Sequence, residues 1–178
     1  MLARQPFSAP FNMRANQLLH AIGPELRADI MTWLQTEERP AYKAVVDSLA
    51  SARKLRPVFI LEKPRAKQAE WLLEQLNTKT NEEVTAQIFQ IWLLKGQSKM
   101  LIAFLDAAGI EHNGKGEVEE LPEEIAEDKA EAAVTALLAD FPAKQVALYL
   151  HMFQEQRPGG WPSLAKAIDA RPELNLEA

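Results

Sequence analysis

The chain contains no cysteine, so a disulfide framework and a thiolate metal site are both excluded. It also lacks an apolar run approaching the roughly 18 to 20 residues that cross a bilayer. The first residues, MLARQPFSAPF, hold two prolines and no apolar core typical of a secretory signal. These absences predict a cytoplasmic protein that does not associate with a membrane.

Aromatic residues make up 7% of the chain, whereas apolar residues make up 47% and charged residues 25%. This balance is typical of a globular protein rather than a disordered one. The net charge of −5 argues against a general nucleic-acid binder. The charge is unevenly distributed, because residues 53–67 hold six basic residues and one acidic residue, while residues 111–128 hold eight acidic residues and one basic residue.

Apolar residues recur at helical spacing along most of the chain. Leu26, Ile30 and Trp33 are separated by four and then three residues, which places them on one face of an amphipathic helix. Similar stripes return further along, and together they predict an all-α fold of about nine short helices. Trp92 and Phe104 are the expected landmarks of the core.

One stretch departs from the helical pattern. In LRPVFIL, residues 55–61, Pro57 and the β-branched residues favour extended backbone over helix. A short extended segment is therefore expected near residues 57–61. Residues 1–11 are expected to form an N-terminal arm, and residues 173–178 a C-terminal tail.

The helical stripes carry a weak threefold repeat. Trp33 and Trp92 are 59 residues apart, and both fall late in a second helix. Asp47, Asp106 and Asp169 follow apolar residues in three third helices, with successive separations of 59 and 63 residues. Repeats of this length indicate an architecture in which similar units stack.

The hypothesis is one helical domain, residues 12–172, built from three similar three-helix units of about 60 residues. The units would span about 12–62, 63–121 and 122–172. Such an array is similar in kind to an armadillo-type α-solenoid, although its unit is longer, and a compact helical bundle is the alternative. A chance alignment of helical stripes also remains open.

No assembled reactive motif is present. Residues 109–116, GIEHNGKG, match the G-x-x-x-x-G-K spacing of a phosphate-binding loop, but a helix precedes them and Gly116 replaces the hydroxyl residue that would bind magnesium. We interpret the string as a surface turn. His20, His112 and His151 are scattered without metal-ligand spacing. We therefore predict no catalytic residue, no cofactor and no metal site, and an enzyme with a non-motif pocket stays an alternative.

Four residues are candidates for binding a partner. Asp47, Asp106 and Asp169 would occupy equivalent places in the repeat, and an aspartate late in a helix is opposed by the helix dipole. Each could pair with a basic side chain of a neighbouring helix, or the three could form a ligand-facing row. Trp161 stands in a Gly/Pro-rich break, where it either caps the core, the favoured interpretation, or forms an exposed binding anchor.

Residues 53–67 suggest a second kind of site. Basic side chains beside Phe59 could hold phosphates, and this electrostatic attraction dominates nucleic-acid affinity. The alternatives are a solvated connector, or pairing with the acidic residues of 111–128. The candidates for nucleic-acid binding are Arg53, Lys54, Arg56, Lys63, Arg65 and Lys67.

These observations together predict a non-enzymatic helical-repeat module for protein–protein interaction or scaffolding. Its partner would be a protein segment that binds a groove formed by one row of helices. A nucleic-acid-binding module that uses residues 53–67 is the alternative, although the net charge disfavours it. A homodimer is expected if the terminal helices expose apolar faces.

Overall fold

The structure, a computed structural model, describes residues 13–176. The predicted all-α class is confirmed, because these residues form ten α-helices and no strand. The helices are α1 (Ala15–Ala21), α2 (Gly23–Glu37), α3 (Arg39–Ala52), α4 (Pro57–Leu61), α5 (Arg65–Leu76), α6 (Glu82–Ile91), α7 (Ser98–Ala108), α8 (Glu127–Asp140), α9 (Ala143–Gln154) and α10 (Pro162–Asp169). A π-helical segment, Trp92–Gly96, continues α6, and 3-10 turns lie at Lys79–Asn81 and Pro172–Leu174. The predicted arm, 1–11, lies outside the described residues.

Proline marks the start of most of these helices. It occupies one of the first two helical positions, or the N-cap position, of six helices: α2, α3, α4, α5, α9 and α10. A proline there sacrifices no hydrogen bond, because the first backbone N–H groups of a helix have no acceptor within it, and its fixed φ already suits the helix. The prolines therefore divide the chain into short helices.

The extended segment expected near residues 57–61 is wrong, because Pro57–Leu61 forms α4. Pro57 takes a first-turn position, where its ring favours the helix. The extended backbone that proline imposes falls on the residue before it, and Arg56 is extended, with φ −76° and ψ 129°. This helix brings the number in the described chain to ten, one more than the nine predicted.

The described chain folds into two compact units, residues 14–97 and residues 98–176. The boundary follows Gln97, which lies inside the range 63–121 that the repeat hypothesis treats as one unit. The three-unit repeat is therefore not established by the fold, and it stays a prediction.

In the unit 14–97, α2 packs against α3, and α1 packs against α6. The predicted landmark Trp92 is buried, as are Ile30 and Phe89. Trp33, expected on the inner stripe, is only half-buried. Its indole instead covers Gly96, where an added Cβ would lie 3.0 Å from the ring, so the missing side chain allows the π-helical segment to approach α2.

In the unit 98–176, α8 packs against α7 and α10. The predicted landmark Phe104 is fully buried at the centre of an aromatic cluster. Its ring centroid lies 4.9 Å from that of Phe153 and 5.3 Å from that of Tyr149, both in edge-to-face arrangements. Such pairs contribute about 0.5–1.5 kcal/mol beyond the area they bury.

Two details of this unit differ from the sequence-based boundaries. The third predicted unit starts at about residue 122, but α8 begins only at Glu127. Pro122 instead lies in a non-helical segment whose carbonyl accepts a hydrogen bond from the indole N–H of Trp161 at 2.9 Å. Residues 173–176, assigned to a tail, contain Leu174 and Leu176, which are both buried.

Candidate partner-binding surface

Within residues 13–176, three large apolar side chains are exposed, and all three lie within five residues of one another. They are Leu55, Val58 and Phe59, with exposed fractions of 42%, 45% and 57%. Single exposed apolar residues are ordinary on a protein surface, whereas a group of them marks an interaction site. The residues surrounding these three side chains therefore form the strongest candidate site in the part of the chain that is described.

The end of α3 presents the first of these side chains. The Leu55 N–H donates to the carbonyl of Ala50 at 2.9 Å, and the Lys54 N–H donates to the carbonyl of Ser51 at 3.0 Å. This is a Schellman motif, with Lys54 in the left-handed region at φ 57°. In most such motifs glycine takes the left-handed position and the next residue packs back onto the helix. Here a lysine takes it, and Leu55 is exposed.

The short helix α4 carries the other two exposed apolar side chains, Val58 and Phe59. Its inner side is anchored by Ile60, which is only 2% exposed, and Val58 and Phe59 project outward beside it. Helical geometry explains this division, because successive side chains are about 100° apart around the axis and a five-residue helix cannot turn all of them inward. The exposed pair is thus a consequence of the helix that Pro57 begins.

A buried polar network holds α4 in place. The Tyr42 hydroxyl donates to Oε1 of Gln68 at 2.6 Å, and Nε2 of Gln68 donates to the carbonyls of Leu61 and Lys63 at 3.0 and 2.6 Å. Gln35 donates to the Tyr42 hydroxyl at 3.2 Å. Burial raises the pKa of Tyr42, although the hydrogen bond from Gln35 opposes this shift. The network joins α2, α3 and α5 to the end of α4.

The predicted nucleic-acid-binding residues lie beside this apolar group. All six are exposed: Arg53, Lys54, Arg56, Lys63, Arg65 and Lys67. Lys67 pairs with Glu70 at 2.9 Å, and none of the other five forms an ion pair with a described residue. The segment 53–67 therefore presents cations with little local compensation.

A shallow depression borders the basic residues. Its volume is about 370 Å³, and its lining includes Lys63, Lys67 and the half-buried Trp71, with Glu70 and Glu74. Small-molecule sites are deeper and mainly apolar, with a few convergent polar groups. The depression extends the surface without offering an enclosed site.

The three aspartates share one local setting. Asp47, Asp106 and Asp169 are all exposed, and each directly follows two buried residues of its helix. Asp106 lies 2.8 Å from Nε2 of His112 in the next loop. Asp47 and Asp169 form no ion pair with a described residue, so the predicted pairing with a basic side chain on a neighbouring helix is not observed for them.

Trp161 belongs to the core of its unit, with an exposed fraction of 1%. Its ring stacks on Phe153 with centroids 4.7 Å apart, and its backbone N–H donates to Oε1 of Gln154 at 2.6 Å. The side chain therefore lies within the core, where the favoured interpretation placed it, and does not present an exposed anchor.

The G-x-x-x-x-G-K string forms the expected surface turn after helix α7. Oδ1 of Asn113 accepts hydrogen bonds from the N–H groups of Lys115 and Glu117 at 2.8 and 3.2 Å, so the turn binds these donors internally. Nδ1 of His112 accepts the Gly114 N–H at 3.0 Å. Across the described residues, no group of three or more His, Cys, Asp or Glu side chains could hold a metal ion.

Phe59 was noted in the sequence only as a neighbour of basic residues, and the exposure of Leu55 and Val58 was missed. The signal was the run LRPVFIL itself, because a proline-initiated helix this short cannot bury four apolar side chains.

Comparisons with protein-family models, curated proteins and solved structures give no match. No helix among residues 13–176 is long and apolar enough to cross a membrane.

Proposed function

We propose that this protein is a helical protein-interaction module. Its binding surface, which we call the α4 surface, comprises Leu55, Val58 and Phe59 with the surrounding cations Arg53, Lys54, Arg56 and Lys63. The single observation that carries the proposal is the grouping of the exposed large apolar side chains of residues 13–176 at this one place.

The contacts that hold α4 in place support the proposal. Ile60 anchors α4, and the carbonyls of Leu61 and Lys63 are both held by Gln68. Ordering side chains and loops upon association costs free energy, and a surface that is already ordered avoids most of this cost. A partner would therefore find Leu55, Val58 and Phe59 already held in position.

The helical-repeat part of the proposal rests on the aspartates. Asp47, Asp106 and Asp169 share an exposed position after two buried residues, as equivalent positions of three units would. Each aspartate would then be a contact point of its own repeat unit. Variants with asparagine at all three positions should keep binding through the α4 surface, and loss of that binding would contradict a separate role for the aspartates.

Site-directed crosslinking tests the proposed function. A photo-crosslinking amino acid in place of Val58 should give covalent adducts with a defined protein, and Phe59→Ser should abolish them. The matched control carries the crosslinker at Thr80, an exposed position of the same unit, and should give no such adduct. Identical adducts from Val58 and Thr80, or none from Val58, would refute the proposal.

Nucleic-acid binding is the second candidate function. The observation that favours it is that five of the six basic residues lack an ion pair with a described residue, although the net charge of −5 opposes it. Binding of an oligonucleotide should then weaken steeply with salt and with neutralisation of Arg53, Arg56 and Arg65. Salt-independent binding, or no binding, would exclude this function.

A further inference from the structure

We infer that the α4 surface binds a short acidic polypeptide segment that contributes apolar side chains of its own. This inference rests on the proposed function and adds the chemistry of the partner. It follows from two properties that occupy the same stretch of the chain, namely uncompensated positive charge and exposed aliphatic and aromatic side chains.

The charge of the site selects an acidic partner. Six basic residues and one acidic residue give residues 53–67 a charge of +5 in a chain whose net charge is −5. Among the described residues the cations of the α4 surface have no ion-pair partner. A carboxylate arriving here would gain attraction without displacing an existing pair, which is the complementarity that gives interfaces their specificity.

Acidic side chains next to the binding surface favour a short partner over an extended polyanion. Glu70 and Glu74 line the depression beside Lys63 and Lys67, so an extended nucleic acid or an anionic bilayer that continued past the basic residues would be repelled there. Exposed charges interact over a Debye length of about 8–10 Å at moderate salt. A short peptide segment can be confined to the basic region within that distance.

The apolar side chains select a polypeptide over nucleic acid. Phe59 could stack on a base, but Leu55 and Val58 offer neither a ring to stack on nor a donor for a phosphate. These side chains complement leucine, isoleucine or phenylalanine of a partner. Interface cores are built from such apolar anchors with a polar rim, and the lysines and arginines around α4 provide that rim.

Backbone geometry supports the same assignment. Lys54 adopts a left-handed conformation, at φ 57°, that glycine would adopt more easily. A glycine there would keep the end of α3 but remove one of the cations. The lysine retains a charge next to Leu55, so that one turn presents an apolar and a positively charged side chain to the same partner.

A random-peptide display library tests the inference, with the full chain immobilised and the selected peptides then synthesised. The variant Lys54→Glu/Lys63→Glu reverses two charges of the α4 surface. The control Lys43→Glu/Lys79→Glu makes the same charge change at exposed positions of the same unit. Lys43 lies ten residues before Arg53 in the chain, roughly 15 Å along α3.

The selected peptides should combine Asp or Glu with Leu, Ile, Phe or Trp. Their affinity should fall at least about tenfold in Lys54→Glu/Lys63→Glu and in Phe59→Ser, and should be unchanged in the control. Enrichment of basic or uncharged peptides, equal binding by all variants, or no enrichment would overturn the inference. So would variant-dependent binding of phosphatidylserine vesicles or of an oligonucleotide without peptide binding.

The two proposals fail separately. If crosslinking from Val58 captures a defined protein but that complex is insensitive to salt and to charge reversal, the interaction function stands and the acidic partner is refuted. If Val58 and Thr80 give the same adducts, the interaction function itself is refuted.

Discussion

The hydroxyl of Tyr42 donates a hydrogen bond of 2.6 Å to Oε1 of Gln68, and this bond joins α3 to α5, the two helices on either side of α4 in the chain. Both residues are buried. Because Nε2 of Gln68 holds the carbonyls of Leu61 and Lys63, the orientation of one amide determines how α4 ends. The exposed apolar group thus depends on a polar network beneath it.

The first prediction concerns Gln68→Ala. The substitution leaves two carbonyls without this donor and removes the acceptor of Tyr42, so the free energy of unfolding should fall by about 1–3 kcal/mol. Urea unfolding measures the loss, and hydrogen exchange should accelerate for residues 57–63. Gln87→Ala, at an exposed position of α6, is the control and should change stability by less than about 0.5 kcal/mol. Equal losses for both variants would contradict the role of the network.

The second prediction concerns the strained lysine. Lys54→Gly and Lys54→Ala remove the same charge, but only glycine adopts φ 57° without a Cβ clash. The glycine variant should therefore be more stable than the alanine variant by about 1 kcal/mol, although the greater freedom of glycine in the unfolded chain reduces the difference. Thermal and urea unfolding of the pair provide the measurement. If the alanine variant is the more stable one, the Schellman motif at the end of α3 is incorrect.

The third prediction separates the surface of α4 from its anchor. Phe59→Ala removes a ring that is 57% exposed and should cost less than about 1 kcal/mol of unfolding free energy. Ile60→Ala, one position along, removes a buried side chain and should cost about 2–5 kcal/mol. The two variants serve as controls for each other, and urea unfolding measures both losses. A larger loss for Phe59→Ala would show that the ring is buried, and the α4 surface would not exist as described.

Much of the fold could be predicted because helical periodicity is a local property of the sequence. The stripes that contain Trp92 and Phe104 repeat every three or four residues, and both side chains are buried as expected. The helical class follows from such patterns without knowledge of any distant contact, whereas the predicted number of helices did not include α4.

The candidate surface could not be predicted in the same way, because it depends on contacts between residues far apart in the chain. Strand propensity in LRPVFIL competes with a proline at the first helical turn, and the buried Ile60 and the amide of Gln68 favour the helix. Likewise, the burial of Trp161 depends on a carbonyl 39 residues away, that of Pro122. The local propensities of the residues predict neither of these long-range contacts.

The last prediction concerns alkaline pH. Burial raises the pKa of Tyr149 well above its ordinary value of 10.0, and burial also raises that of Tyr42. Below about pH 10 these tyrosines are protonated in both the folded and the unfolded chain, so they add no pH dependence. Above about pH 10 the tyrosines ionise first in the unfolded chain, which then binds fewer protons than the folded chain. The free energy of unfolding therefore falls as pH rises.

Tyr149→Phe removes one of these two groups, so the fall between about pH 10 and 11 should become shallower by up to about 1.4 kcal/mol per pH unit. Urea unfolding at a series of pH values measures both slopes. At pH 7 the variant keeps the ring and its edge-to-face contact with Phe104, so its stability should stay close to that of the wild type. An unchanged alkaline slope would mean that Tyr149 ionises in the folded protein as readily as in the unfolded chain, which is incompatible with its burial.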